Sequence, residues 1–546
     1  MKKTILLLFV LSFSFTKMYS QCTEVSEPKI LLCGDSWAWY MNTEATINSV
    51  LKKWGFSNYT YVSNATLSVN GAQTDDMIKP ACEAEIVNQL NLHPSIEAVD
   101  LSIGGNDFLG GWDTTFTQGH TDTLAAEVFV RLDSIIRFIQ AAKPGIKILW
   151  SGYCYTNFKE VITNFAFPTQ HPFYSTWSGM KFPDFIQINT MQNYISTKID
   201  DYCATHPGVY YYNANGLMQY MVGQTSPLQG GVQPGGTYAP FTAPIELGFP
   251  TYPSPVSTMR DYLGIAKDCY HLSTQGYKDL VGYQTQKYFH KLLMDDLYLL
   301  ADSTQSGTVS MSGNVTDSLL LGDAGSDPLA TVLSFNTTAM ADTTLSKASL
   351  FLRRANLTGT NPVGNSIVVK VKNGNFGTTV NVEAADYTAP DDANGSPCLF
   401  GSNAATGDWV RLDLPASILS HINHTSTTQF IITSPGASGK TTFSGTKDPD
   451  FAPVLNLVYY NPALAVNEIN KEKEFLIYPN PTSGLLTIEK GAETITHLEV
   501  CNLLGEIVLV PNAQQNTINL SSLSKGMYML NITTKNGKTS QRVFKD

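Results

Sequence analysis

No stretch of the 546-residue chain is apolar over the roughly 18 residues that a membrane-crossing helix requires, so no span is expected. Charged residues are sparse at 15%, and 46 Asp and Glu outnumber 35 Lys and Arg, leaving a net charge of −11. No basic stripe gathers the cations that a phosphate backbone demands, which sets nucleic acid aside as a partner. Also missing are an HExxH pair, paired CxxC motifs and a glycine-rich phosphate loop, so zinc and nucleotide chemistry are not expected. No metal or cofactor is called for. Nor is there a Gly-x-Ser-x-Gly elbow, the strained turn on which one large class of hydrolases mounts its nucleophile.

What is present fits a folded, exported, multidomain chain. Hydrophobic residues make up 43%, and the length exceeds the roughly 250 to 300 residues at which a single core stops growing. Lys2 and Lys3 precede an apolar run over residues 5–15 and a polar stretch ending at Ser20, the layout of an export signal over 1–20 with cleavage before Gln21. Cys22 follows Gln21 rather than a small residue, so lipidation is not expected. An oxidising compartment permits disulfides among Cys22, Cys33, Cys82, Cys154, Cys203, Cys269, Cys398 and Cys501 without requiring them. Cys33 sits in an apolar run, and Cys398 and Cys501 are isolated in sequence, so several of the eight are expected as buried free thiols.

From Pro28 to about residue 300, short β-rich runs at 29–33, 59–63, 98–103, 147–151 and 209–212 alternate with amphipathic segments near 42–54, 74–90, 122–142, 183–204 and 274–296. That alternation predicts a three-layer α/β/α domain on a parallel sheet. Residues 157–180 and 213–262 break the rhythm. Long irregular segments of this kind are functional loops or tolerated insertions. After residue 300 the composition turns to Thr, Ser, Asn and Gly with alternating runs at 366–372, 409–414, 429–433 and 454–459, which predicts a β-sandwich. A charged stretch near 467–474 reads as a linker, and a small all-β unit begins at Phe475. The expected boundaries are 21–300, 304–460, a linker at 461–473, and 474–546.

Four short blocks carry chemistry. Gly34-Asp35-Ser36 follows the first strand, which puts Ser36 at the carboxyl end of a parallel strand, where open α/β sheets build their sites. Asp35 or Ser36 also suits an ordinary helix cap. Asp268-Cys269-Tyr270-His271, expected on a loop entering a helix, spaces a carboxylate and an imidazole so that one can orient the other, as a serine hydrolase base requires. Gly104-Gly105-Asn106-Asp107 follows another apolar strand, and an Asn there can donate to a developing oxyanion. Asn70-Gly71-Ala72 can bring a backbone N–H to the same place or serve as a plain turn. Trp37, Trp39 and Trp112 lie close in sequence to these blocks and are candidates for stacking on a substrate, although aromatics supply much of any core.

Together the four blocks, in this order, resemble the signature of SGNH (GDSL-type) hydrolases over residues 28–298. The resemblance implies a flavodoxin-like fold and a triad of Ser36, His271 and Asp268. It further implies an oxyanion hole from the backbone N–H groups of Ser36 and Gly71 and the Asn106 side chain. Trp37 departs from the Leu or Ile common in lipase-like members. Residues 304–460, with Leu350-Phe351-Leu352-Arg353-Arg354 and Ala452-Pro453-Val454-Leu455-Asn456, resemble the jelly-roll accessory domains of the DNRLRE group. The last unit, with Tyr478-Pro479-Asn480-Pro481, Gly526-Met527-Tyr528 and a terminus through Arg542-Val543-Phe544-Lys545, resembles the sorting domains of type IX secretion in Bacteroidetes. That implies the secretion machinery as a partner and release or attachment at the cell surface.

The expectation is thus an extracellular serine esterase acting on an ester such as acetylated polysaccharide. A lipase or aryl esterase for apolar acyl groups is its enzymatic rival. A surface glycan-binding or adhesin protein that uses the hydrolase domain as scaffold is the non-catalytic one.

Overall fold

Ile30, Leu31, Leu32 and Cys33 have no solvent exposure, the signature of a strand covered on both faces. They form the centre of β1 (Glu27–Gly34) in the computed structural model, which describes residues 25–222, 251–294, 296–340, 344–364, 366–459, 475–490, 494–502, 506–535 and 537–546. The export segment, Cys22, the linker at 461–473 and most of the 213–262 insertion lie outside the described residues.

β1 pairs in parallel with β2 (Tyr59–Val62) and β3 (Ala98–Ser102), followed by β4 (Lys147–Ser151) and β5 (Val209–Tyr212), in the order 2-1-3-4-5. This is the flavodoxin-like order, whose ligand crevice lies at the carboxyl ends of the strands where the winding reverses. Successive side chains leave a strand on opposite faces. Leu31, Cys33, Val99 and Ile148 pack against the Gln118–Ala142 and Phe185–Thr205 helices. Ile30, Leu32, Ala98 and Leu149 pack against α1 (Ser36–Thr43), α2 (Thr46–Lys53) and the Thr274–Gln284 helix. Three layers result. The first helix starts at Ser36, six residues earlier than the amphipathic pattern suggests, because Asp35 caps it.

The 157–180 stretch folds into short helices, including Phe158–Thr163 and Tyr174–Gly179. Asp268 and His271 lie on a strand rather than a loop. β6 (Met259–Tyr262) and β7 (Ala266–Leu272) form an antiparallel hairpin, and Ser273 then caps the Thr274–Gln284 helix.

β8 (Leu297–Leu300) pairs with the Val454–Tyr459 strand and so belongs to the all-β region ahead of residue 304. There the long Leu345–Thr358 strand carries an irregularity between Arg354 and Asn356, pairing antiparallel with Trp409–Asp413 and Val454–Tyr459 before it and with Lys440–Phe443 after it. The α/β and all-β regions share one core cluster, in which Phe351, Trp409, Phe451 and Val454 join Val50, Leu51, Phe56 and Phe289. Cys398 is disulfide-bonded, against the free thiol that its isolation suggested. Cys33, Cys82, Cys154, Cys203, Cys269 and Cys501 are free. The C-terminal unit, 461–546 by chain compactness, carries antiparallel sheets around Leu486, Ile488, Leu498, Leu530, Ile532 and Val543. No helix among the described residues is long and apolar enough to cross a membrane.

At the junction within the first unit, His290 is enclosed by Trp54, Phe56, Tyr298, Phe351 and Trp409, and its Nε2 has no hydrogen-bond partner. Burial pushes this imidazole down to about 3. In the unfolded chain it titrates near 6.5, so between these values the unfolded state binds a proton that the folded state refuses. Stability therefore falls with falling pH in that window, by up to about 1.4 kcal/mol per pH unit, and is unaffected above it. His290→Phe is expected to shrink the loss of Tm between pH 6.5 and pH 4, measured by calorimetry. Parallel Tm curves for parent and variant would count against it.

Candidate active site

Three strand ends converge on Ser36. At the end of β1 the chain turns through Gly34 (φ +148°), where a Cβ would lie 1.9 Å from the Ser102 carbonyl oxygen of β3. Only glycine allows that approach. Asp35 then caps α1, its Oδ1 accepting the Trp37 N–H at 2.9 Å, and Ser36 becomes the first helical residue, 3% exposed.

From β7, Asp268 Oδ1 accepts the backbone N–H groups of Tyr270 and His271, both at 3.0 Å. That local turn explains how residues three apart on a strand meet. Asp268 Oδ2 lies 2.8 Å from His271 Nδ1, and His271 Nε2 lies 2.7 Å from Ser36 Oγ. All three side chains are buried. Tyr270 lies against the imidazole at a centroid distance of 4.3 Å and Tyr40 at 4.9 Å. Arg260 lies over the Tyr40 ring at 3.9 Å.

After β3, Gly104 (φ +112°) opens a short helix, Gly105–Gly111, that carries Asn106. Asn106 Nδ2 donates to the Ala72 carbonyl at 2.9 Å, and Gln73 Nε2 returns a bond to the Asn106 carbonyl at 3.2 Å. Asp107 accepts from the Thr74 N–H at 3.0 Å, the Thr74 hydroxyl at 2.7 Å and Arg131 at 3.1 Å. These bonds tie the Gly71 turn to the Asn106 turn. Gly71 itself (φ +80°) is exposed, and among the described residues no backbone acceptor takes its N–H.

Of the tryptophans, Trp37 is 3% exposed and packs edge-on against Tyr153 and Tyr277. Trp112 is buried on the opposite face of the sheet. Both fill core space, and Trp37 also lines the cavity beside Ser36. Trp39 is half-buried and sits edge-on to Tyr40 at 4.9 Å.

Tyr153 was not singled out in the sequence, yet it joins two of the blocks. Its hydroxyl donates to Asp35 Oδ2 at 2.6 Å and accepts the Gly105 N–H at 3.1 Å. It lies two residues beyond β4, as Ser36 lies two beyond β1, and that strand-end position is the signal that could have found it. Burial pushes the Asp35 carboxyl up to about 7, with the Tyr153 hydrogen bond pulling the other way. The folded state therefore holds a proton that an unfolded Asp, near 3.9, releases, and stability falls as pH rises between those values. Loss of the phenol in Tyr153→Phe raises the carboxyl further and extends this loss above pH 7. The variant is expected to lose more Tm between pH 5 and pH 8 than the parent, by about 1.4 kcal/mol of stability for each further unit. An unchanged pH dependence would separate Tyr153 from Asp35.

Among the described residues no group of three or more His, Cys, Asp or Glu is placed to hold a metal ion.

Residues 476–546 match the family described as the Secretion system C-terminal sorting domain. This domain addresses the chain to the type IX secretion machinery and hence to the cell surface or the extracellular space. No curated protein matches the chain. Among solved structures, a carbohydrate esterase family 3 protein from Talaromyces cellulolyticus is similar at 13% identity over 50% of this chain and 100% of its own, with a TM-score of 0.27. A family 3 carbohydrate esterase of Clostridium thermocellum is similar at 18% identity over 49% and 98%, with a TM-score of 0.27. A GDSL-like lipase from Bacteroides thetaiotaomicron is similar at 10% identity over 48% and 88%, with a TM-score of 0.26. Nothing about substrate follows from likeness at this level.

Proposed function

We propose that the protein is an exported serine esterase that hydrolyses carboxylic esters through Ser36, His271 and Asp268, within a catalytic region spanning 21–300. The observation that carries this reading is the unbroken hydrogen-bond chain from Ser36 Oγ through both nitrogens of His271 to the Asp268 carboxylate. A buried serine bonded to an oriented imidazole is the arrangement that makes a hydroxyl nucleophilic.

His271 Nε2 takes the Ser36 proton as Oγ bonds to the ester carbonyl carbon. The negative charge passes to the carbonyl oxygen, where the Ser36 and Gly71 N–H groups and the second amide proton of Asn106 receive it. Collapse of this adduct breaks the bond to the alcohol oxygen, which takes the proton from His271, and leaves the acyl group on Ser36. Water, deprotonated by His271, then attacks the acyl carbon, and the acid departs as Ser36 regains its proton. Asp268 holds the imidazole orientation and stabilises its charged form throughout. Apart from the ester and water, these steps use only groups of this chain.

Delivery to the cell surface or beyond suits a polymeric or surface-bound ester. The test is treatment of the full chain with a fluorophosphonate while hydrolysis of p-nitrophenyl butyrate is followed. Stoichiometric loss of turnover, with the label on the peptide carrying Ser36, is the expected result. Label elsewhere, or no turnover at all, overturns the reading and favours a glycan-binding surface protein.

A further inference from the structure

A cavity of about 90 Å³ is lined in part by Ser36 and offers several times the space that one water needs. Ser36, Asn106 and Tyr270 line it, together with Trp150 and Tyr211 of the sheet. The wall also includes Ile188, Met191, Ile195 and Ile199 of the Phe185–Thr205 helix, positions three and four apart that share one helix face. From Ile188 to Ile199 that face runs about 16 Å at 1.5 Å per residue. A void of this kind costs the fold packing stability, and it is continuous with the serine.

Most polar side chains on the wall are turned to other protein groups. Gln192 Nε2 donates to the Tyr153 carbonyl and to Asn215 Oδ1, both at 2.7 Å. Ser196 Oγ accepts from the Tyr211 hydroxyl and from Asn215, both at 3.0 Å. Ser151 is held between Asp100 and Gln284. Thr156 Oγ is buried without a partner. A sugar would bring several hydroxyls into this space and leave most of them unpaired, which is costly, whereas a methylene chain needs no partner and gains from leaving water.

Resting on the esterase reading, the geometry points to an acyl-chain subsite in this cavity, so that the protein's ester carries an apolar acyl group longer than acetyl. The alcohol portion is left outside this cavity, and the subsite sets no restriction on it.

The test compares p-nitrophenyl acetate with p-nitrophenyl octanoate on the full chain, the leaving group being held constant. The parent is expected to favour octanoate in kcat/KM by at least about tenfold, since each buried methylene adds binding. Ile195→Trp fills the cavity and is expected to cut that ratio at least about tenfold. Should Ile195→Trp not fold, Ile199→Phe at the far end is read by the same ratio. Serine-dependent acetate turnover without octanoate preference, or a preference that survives both substitutions, overturns the subsite and leaves the esterase standing. Failure to hydrolyse either ester overturns both.

Discussion

Ser36→Ala is expected to lower kcat for p-nitrophenyl butyrate by about 10⁴-fold to 10⁶-fold while the far-UV spectrum and Tm remain those of the parent. The side chain removed is one hydroxyl at the start of α1, and its loss leaves the Asp35 cap and the helix intact. His271→Ala is expected to fall in the same range, because a serine without its base and a base without its serine are equally idle. Asp268→Asn is the informative member of the set. Its Oδ1 could still accept from the Tyr270 and His271 N–H groups, so the turn would survive. The new amide would then point N–H at His271 Nδ1, donor against donor, and favour the tautomer whose Nε2 carries the proton. That nitrogen faces Ser36 Oγ and could no longer accept from it, so a loss of about 10⁴-fold in kcat is expected. Near-parental turnover in Ser36→Ala would remove the nucleophile assignment. Near-parental turnover in Asp268→Asn would mean that another group holds the imidazole.

The parts of this arrangement legible in the sequence are those that local rules determine. Residues 147–151 and 209–212 read as strands by their β-rich runs, and the structure has strands at those positions. Ser36 and Asn106 stood out because each follows an apolar strand. The β6–β7 hairpin was not legible. Met259–Tyr262 and Ala266–Leu272 flank a turn with Leu263 and Gly264 both at positive φ, and only Gly264 signals this. Tyr153 was missed for a different reason. Its strand-end position was available to notice, but its role depends on Asp35, 118 positions away, and nothing local to residue 153 names that partner. The tryptophans show the same limit, since sequence proximity to Ser36 could not tell core packing between Tyr153 and Tyr277 from exposure. The boundary near 300 could not reveal that the two regions share a core, because the groups that join them, such as Trp54 and Trp409, are hundreds of residues apart.

That shared core gives the second large effect. Trp54 stacks on Trp409 at a centroid distance of 5.6 Å and an angle of 23°. His290 lies 4.4 Å from the same indole, and Phe56 meets Phe351 at 5.4 Å. Arg411 reaches across to donate to the Gly55 carbonyl at 3.3 Å and to Asn58 Oδ1 at 2.9 Å, while pairing with Asp413 at 2.9 Å. Gly55, at φ +83°, brings its backbone so close that a Cβ would lie 3.1 Å from the Phe351 ring. Trp409 is 1% exposed, so Trp409→Ala is expected to cost about 3 to 5 kcal/mol. The distribution of that loss distinguishes two architectures. If the β-region were a spacer, calorimetry of the variant would show it melting early while ester hydrolysis persisted to the parental temperature. With α2, His290 and the β-region in one core, loss of turnover and unfolding of both regions are expected to move down together, in one transition. The helices that carry this aromatic contact pack on the same sheet face as Leu32 and Trp37, within a few residues of Ser36, so removal of the indole weakens the support of the helix that begins at Ser36.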